Sequence, residues 1–337
     1  MINKIIILLG LLLLTSCIQT SKVLKLNGKT MGTTYHIKYV NDAEISQTKL
    51  QQLVDQALVE VNQQMSTYIS DSELSKFNQS SSLDWIATSP ELLFVVDHAL
   101  SIAKKTSGVF DPTIGPLVNL WGFGPSGKRM IPSDMEIKKA LLNVGHSKVE
   151  VDLNGQRMKK SQKEIYLDLS ASAKGYGVDK VSALLKEQGI ENHMVEIGGE
   201  VKTSGLKNQK SWRIAIESPV PGNTKKSLQK VLELNSMAMA TSGSYRNFFK
   251  KSSKTYSHTI NYKTGKPISH TLASVSVVDL ESCMNADAFA TAFMAMGHEK
   301  GLEIAEKLNI PAYFIYKLDT EKEFSVVETS QFKKLFK

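Results

Sequence analysis

The side chains best suited to chemistry begin in the stretch 165–179, I-Y-L-D-L-S-A-S-A-K-G-Y-G-V-D. Ser170, Ala171, Ser172 and Ala173 are small, and Lys174-Gly175 follow them. Small side chains let another molecule approach the backbone, and free N–H groups at a helix start attract anions. Lys174 adds a positive charge, and Asp168 can accept hydrogen bonds from a polar ligand. The set suits an anionic ligand that carries phosphate. The plainer alternative is that Ser170 caps a helix and Lys174 is solvated. Known nucleotide loops do not fit: there is no G-x-x-x-x-G-K-[ST], and Gly175-Tyr176-Gly177 lacks the third glycine of the dinucleotide fingerprint.

A second set lies in 285–297, N-A-D-A-F-A-T-A-F-M-A-M-G. Its period is helical, and Asp287 and Thr291 are four residues apart, so their oxygens share one face. A carboxylate and a hydroxyl suit a hard cation such as Mg2+, which takes oxygen ligands and shares them with phosphate. The plainer alternative is a packed helix that Asp287 merely caps or solvates. A third candidate is His258, whose imidazole is a suitable proton acceptor near neutral pH.

Elements must hold these groups. Ile165, Leu167 and Leu169 alternate with Tyr166 and Asp168, which predicts a strand. Val178, Val181, Leu184 and Leu185 follow at helical spacing, and Gly189 stops them. Met194–Ile197 reads as the next strand, ending in Gly198-Gly199. Lys174 would then sit at the first junction of a strand–helix–strand unit.

Upstream, 29–39 reads as a strand with Met31-Gly32 at its start, and 46–65 and 90–106 as amphipathic helices. Ser70 to Glu73 reads as a capping box, and His98 as a structural residue. The stretch 111–125 is apolar yet rich in Gly and Pro, so it reads as an irregular loop packed against another layer or a flat ligand. Downstream, 212–217 and 231–234 read as strands, and 238–246 as a turn. The segments 255–261 and 272–279 read as the two strands of a hairpin. The segments 302–308 and 312–316 read as helix and strand before a polar, basic tail. The rhythm is not the regular alternation of a doubly wound sheet, so the class is α+β.

Composition sets the bounds. The chain has 337 residues, 42% apolar and 22% charged, with a net charge of +8, which leans toward an anionic ligand or membrane surface. No basic–aromatic stripe points to nucleic acid. Residues 1–16 read as a lipoprotein signal peptide: Lys4, an apolar run from Ile5 to Leu14, then L-T-S-C ending at Cys17. Lipid on Cys17 and a tether over 17–28 would anchor a domain at 29–337. Cys283 would then have no partner for a disulfide, since the chain holds only two cysteines.

Seven motifs, in order, resemble the FAD:protein FMN transferase (ApbE) family. They are M-G-T at Met31, M-S-T-Y at Met65, D-P-T-I-G-P-L-V-N-L-W-G-F-G-P at Asp111 and D-L-S-A-S-A-K-G-Y-G-V-D at Asp168. E-I-G-G-E at Glu196, S-H-T-I at Ser257 and N-A-D-A-F-A-T-A at Asn285 complete the series. The resemblance runs from about Thr30 to Gly297. It implies two mixed α/β lobes with a cofactor cleft between them. It implies an Mg2+-dependent enzyme that transfers FMN from FAD to a Thr or Ser hydroxyl of an exported protein, with AMP released. Carried over by motif, the flavin site would use Met31, Tyr68, Val109, Phe110, Asp111, Asp168, Lys174 and the His258–Ile260 strand. The metal would be held by the Ala171 carbonyl, Asp287 and Thr291, and His258 is the candidate base. The family often has glycine at the position of Ser170 or Ala171 and an apolar residue at that of Ser172, so local changes are expected there. The target would be an exported flavoprotein subunit of an Nqr- or Rnf-type complex, met by a lipid-anchored enzyme on the periplasmic side of a membrane. Two other readings stand beside this one: an FAD pyrophosphatase giving FMN and AMP, and a non-catalytic FAD-binding lipoprotein.

Overall fold

The computed structural model describes residues 22–41, 43, 45–219, 228–244, 248–251, 254–318 and 323–337. The signal segment 1–16 and Cys17 lie outside the described residues. The chain opens with strands β1 (Val23–Thr30) and β2 (Thr33–Val40), joined by Met31-Gly32. Both turn residues have positive φ, 49° and 70°, the geometry a two-residue hairpin needs. The expected tether over 17–28 is therefore too long, because 23–28 pair along β2. Met31 and Gly32 form the turn, not the start of a strand.

Helix α1 (Gln47–Met65) is capped by Ser46, and α2 (Glu73–Gln79) by Ser72. The capping box expected at Ser70 is corrected here: Glu73 instead accepts from the N–H and Oγ of Ser89, both at 2.6 Å. Ser89 also caps α3 (Pro90–Lys105), which follows the two-residue strand β3 (Ile86–Ala87). The Gly/Pro-rich stretch is more regular than its composition suggests: a 3-10 turn over Pro112–Ile114 leads into α4 (Gly115–Leu120). Helix α5 (Asp134–Leu141) and strands β4 (Val149–Asp152) and β5 (Arg157–Lys160) come next.

The segment 165–169 is not a strand. Its alternation is real as burial, since Ile165, Leu167 and Leu169 are in the core. Side chains and a loop replace a sheet ladder, however: Asn78 bonds both the N–H and the carbonyl of Leu167, and Asp168 donates its N–H to the Pro112 carbonyl. Alternating burial alone cannot tell a strand from an extended segment pinned in this way. Helix α6 (Ala173–Glu187) follows, then β6 (His193–Ile197) and β7 (Glu200–Ser204) across the Gly198-Gly199 turn.

Strands β8 (Trp212–Glu217) and β9 (Leu228–Leu234) pair with each other. The expected turn at 238–246 holds β10 (Ala238–Gly243), a central strand between β7 and a later one. Strands β11 (Phe248–Lys251) and β12 (Lys254–Ser257) form a ribbon of their own. The expected pairing of 255–261 with 272–279 does not occur: β13 (Leu272–Asp279) joins the main sheet instead. Helices α7 (Cys283–Met296) and α8 (His298–Lys307) follow. The expected strand at 312–316 is β14 (Ala312–Lys317), and the tail beyond it is built as β15 (Phe324–Glu328) and α9 (Ser330–Leu335).

The main sheet has eight antiparallel strands in the order β1-β2-β6-β7-β10-β13-β14-β15. On one face, Tyr35, Ile37 and Val195 pack with Leu50, Val54 and Leu58 of α1 and Val181 of α6. Further along that face, α7 packs on Val275 and Val277 and reaches α3 and the small sheet β3-β5-β4. The other face is covered by β8–β9 and α9, through Ile216, Leu232, Met239, Val278 and Phe332. Trp121, Phe123, Leu117, Ile137 and Ile260 form a separate small cluster. The mixed helices and sheets match the expected α+β class. No helix among the described residues is long and apolar enough to cross a membrane.

Candidate active site

Two helix starts meet at the centre of the molecule. Gly175, in the first turn of α6, faces the first turn of α7: a Cβ there would lie 2.5 Å from the Cys283 carbonyl and 2.6 Å from Met284 Cα. Only glycine permits that approach. The same residue donates its N–H to Asp287 Oδ2 at 3.1 Å. Asp179, one turn further along α6, accepts from the first N–H groups of α7, those of Cys283 and Met284, both at 3.0 Å. A carboxylate at a helix N-terminus is electrostatically favoured. The predicted Lys174 and Asp287 segments, more than 100 residues apart, are thus locked together.

Lys174 Nζ stands 3.2 Å from Glu200 Oε1 and 3.6 Å from Asp287 Oδ2. Burial alone would lower its pKa, but the Asp287 and Glu200 carboxylates outweigh it and hold the ammonium well above its ordinary range. Burial pushes the Glu200 carboxyl up, and Lys174 pulls back part of that rise. Glu200 Oε2 is buried and has no hydrogen-bond partner. Ser172, at the N-cap of α6, makes no capping bond, and its buried Oγ is also without a partner. Ser170 does not cap the helix. One turn along α7 from Asp287, the Thr291 hydroxyl lies 3.3 Å from that of Ser242 at the end of β10. Ala171 is half-buried in the turn that leads into α6.

A second group borders this junction. Asp168 Oδ1 accepts from the Ser170 N–H at 2.9 Å and lies close enough to Tyr68 to affect it. Burial and then Asp168 raise the Tyr68 pKa, against the opposing charge of Arg129. Tyr68 is exposed along most of its side chain, but its part-buried hydroxyl donates to the Phe123 carbonyl at 3.0 Å. The Phe123 ring meets the His258 ring edge-on at 6.4 Å between centroids. His258 is half-buried just beyond β12, not inside a strand, and Ile260 is buried beside Trp121 and Phe123. Tyr68, Phe123 and His258 therefore form one rim.

Other expected residues are placed differently. Met31 lies with its methyl end against Gly177 on α6: a Cβ there would be 2.9 Å from Met31 Cε. Val109 is half-buried and Phe110 belongs to the core. The two Asp111 oxygens are occupied within the protein, Oδ1 by Thr113 and Oδ2 by the His146 N–H at 2.8 Å. His98 bonds the Asn285 side chain at 3.2 Å, as a structural residue would.

Sequence reasoning passed over Glu200, Ser242 and Asp179 as site residues. Glu200 closes the quoted E-I-G-G-E motif, and an acid just after a two-glycine turn was the available signal. Ser242 carried none, because its segment read as a turn.

The donors at the junction are hard oxygens. The described residues hold no cluster of three or more His, Cys, Asp or Glu suited to a metal. One carboxylate and a hydroxyl fit a small hard cation that completes its shell with phosphate oxygens and water.

The ApbE family profile matches residues 31–314. A Vibrio cholerae protein named FAD:protein FMN transferase is 45% identical over 98% of this chain and 98% of its own length. An Escherichia coli protein of the same name is 35% identical over 88% of this chain and 85% of its own. The solved flavin transferase ApbE of Vibrio cholerae superposes with a TM-score of 0.85 at 43% identity, covering 94% of this chain and all of that one. The apo flavinyl transferase ApbE of Pseudomonas stutzeri gives 0.85 at 37%, covering 94% and 97%. Motif order, junction geometry and these likenesses agree: this chain belongs to the ApbE family.

Proposed function

We propose that the chain transfers the FMN moiety of FAD to a Thr or Ser hydroxyl of a protein and releases AMP. The observation that carries this reading is the convergence of Lys174, Glu200 and Asp287 where α6 meets α7. A diphosphate resists attack because its oxygens repel nucleophiles and its leaving group is charged. Lys174 supplies positive charge where the diphosphate would lie. Asp287 and Thr291, with the Ala171 carbonyl, would hold Mg2+, which would neutralise charge on the diphosphate and its leaving group. Asp168 and Tyr68 would orient one end of the dinucleotide, and Met31 would bound it. His258 would take the proton of the attacking hydroxyl, its ring held edge-on by Phe123.

Incubation with FAD, Mg2+ and a candidate acceptor protein tests the reading. Transfer appears as in-gel flavin fluorescence and a covalent FMN mass shift on the acceptor. FMN and AMP without that shift would mark an FAD pyrophosphatase. Stable bound FAD with no AMP would mark a storage protein. If His258→Ala transfers normally while Asp287→Ala does not, the base is another group and the metal reading stands. By the resemblance, acceptors would be exported subunits of Nqr- or Rnf-type complexes. Lipid on Cys17 would hold the enzyme at a membrane on the periplasmic side.

A further inference from the structure

Among the described residues, one part of the main sheet has no layer packed on its outer face. Strands β8–β9 and α9 shield the outer face from β6 to β14 through Met194, Val201, Trp212, Met239 and Phe332. At the β1–β2 end, the outward positions are Lys25, Asn27 and Lys29 on β1 and Thr34, His36 and Lys38 on β2. Lys25 and Lys38 are direct cross-strand partners. Like charges set directly opposite each other cost stability, and an anion above them would relieve that cost. Neither lysine has a carboxylate partner among the described residues, nor do Lys22 and Lys29. No Asp or Glu occurs anywhere in 22–40. Among the described residues that line this patch, Glu196, bound to His36 at 2.6 Å, is the one acid. Lys25, Asn27, His36, Lys38, Met194 and Glu196 line a shallow depression of about 330 Å³.

We propose that this face rests on an anionic lipid surface, with phosphate headgroups at Lys25 and Lys38. The end of the sheet supports that occupant. Strand β1 begins at Val23, six residues after Cys17, so a lipid on Cys17 would lie within roughly 20 Å of it. Lys25 and Lys38 are near the strand ends next to that segment, and the Met31-Gly32 turn is about 20 Å away along the hairpin. The α6 start lies toward the turn end: a Cβ on Gly198 would be 3.4 Å from Lys174 Cδ. Binding through the lysines would therefore hold the active site away from the bilayer. The proposal rests on the lipid anchor proposed above for its closeness, and on the charge pattern alone for its chemistry.

The full chain, purified from membranes, would be reconstituted into vesicles of phosphatidylcholine alone or mixed with phosphatidylglycerol. A membrane-impermeant amine reagent and peptide mass spectrometry then read each lysine. Labelling of Lys25 and Lys38 should fall at least threefold in the anionic vesicles and recover at high salt, because exposed charges are screened. Lys139, exposed on α5, should label equally in both. Lys25→Glu/Lys38→Glu should abolish the lipid dependence at Lys22 and Lys29 while leaving FMN transfer in detergent unchanged. Equal labelling of Lys25 and Lys38 in the two vesicle types, high or low, overturns the proposal. Flotation separates the anchor from the face: a chain that floats only with anionic vesicles has the face without the anchor, and one that floats with both has the anchor.

Discussion

Two lysines are drawn into the interior, and they are held in opposite ways. Lys160 is 1% exposed and makes no ion pair among the described residues, with only the more distant Glu164 charge acting on it. Its three N–H donors are shared among four backbone carbonyls: Phe77 at 3.1 Å, Asn78 at 3.0 Å, Lys163 at 3.0 Å and Ile165 at 3.4 Å. Two of these end α2, where free carbonyls and the helix dipole favour a cation. Lys174 instead lies between two carboxylates, keeps 28% of its side chain exposed, and leaves Glu200 Oε2 without a partner. A buried charge whose donors are all met is a brace. A buried charge beside an unmet acceptor is a place where something else can bind.

The contrast can be broken most forcefully at Gly175. Gly175→Ala drives a Cβ into the α7 backbone, so transfer should fall about 100-fold and stability by about 2 kcal/mol. Transfer kinetics with urea unfolding would show both; wild-type values for either would mean the two helix starts are not in contact. Lys160→Met should cost about 3 kcal/mol by leaving buried carbonyls unmet, while transfer per folded molecule changes less than about threefold. A larger loss of turnover in the folded fraction would make Lys160 part of the site. Lys174→Met should lower transfer about 100-fold. Adding Glu200→Gln should restore stability, not transfer, and recovered transfer would reduce Lys174 to a brace as well.

The smallest expected effect concerns another buried group satisfied by neutral partners. His193 is fully buried, with Nδ1 donating to the Ile190 carbonyl at 2.9 Å and Nε2 accepting from Ser182 Oγ at 2.7 Å. Burial lowers its pKa from 6.5 to about 4. The unfolded chain thus binds a proton that the fold does not. His193 stabilises fully above pH 6.5, and that contribution is lost as pH falls toward 4. Between pH 8 and pH 5 the loss should be about 2 kcal/mol in urea midpoints. His193→Gln should flatten this slope, and an unchanged slope would assign the acid sensitivity elsewhere.

Periodicity found α1, α3 and α6 because each buries one stripe, whereas α7, a run of small and apolar residues, is buried nearly all round. Periodicity failed where burial and pairing part company. The 165–169 segment is buried alternately but is held by Asn78 and Pro112. Strand β10 was hidden because A-M-A-T-S-G looks like a turn, yet small residues are what α7 needs beneath it. The stretch 126–164 gave no reading at all, although Ser133 and Glu136 make a complete capping box there. Lys174 and Asp287, which the fold brings to 3.6 Å, were singled out from residue type and spacing. Glu200 was not, because its meaning comes from the Gly198-Gly199 turn that brings it back beside Lys174.

Asp179 closes the back of the junction with Cys283, Met284, Ser282 and Lys202. The two helices are consequently registered before any dinucleotide arrives. The ordering entropy of that alignment falls within folding, so binding energy remains free to act on the reacting diphosphate.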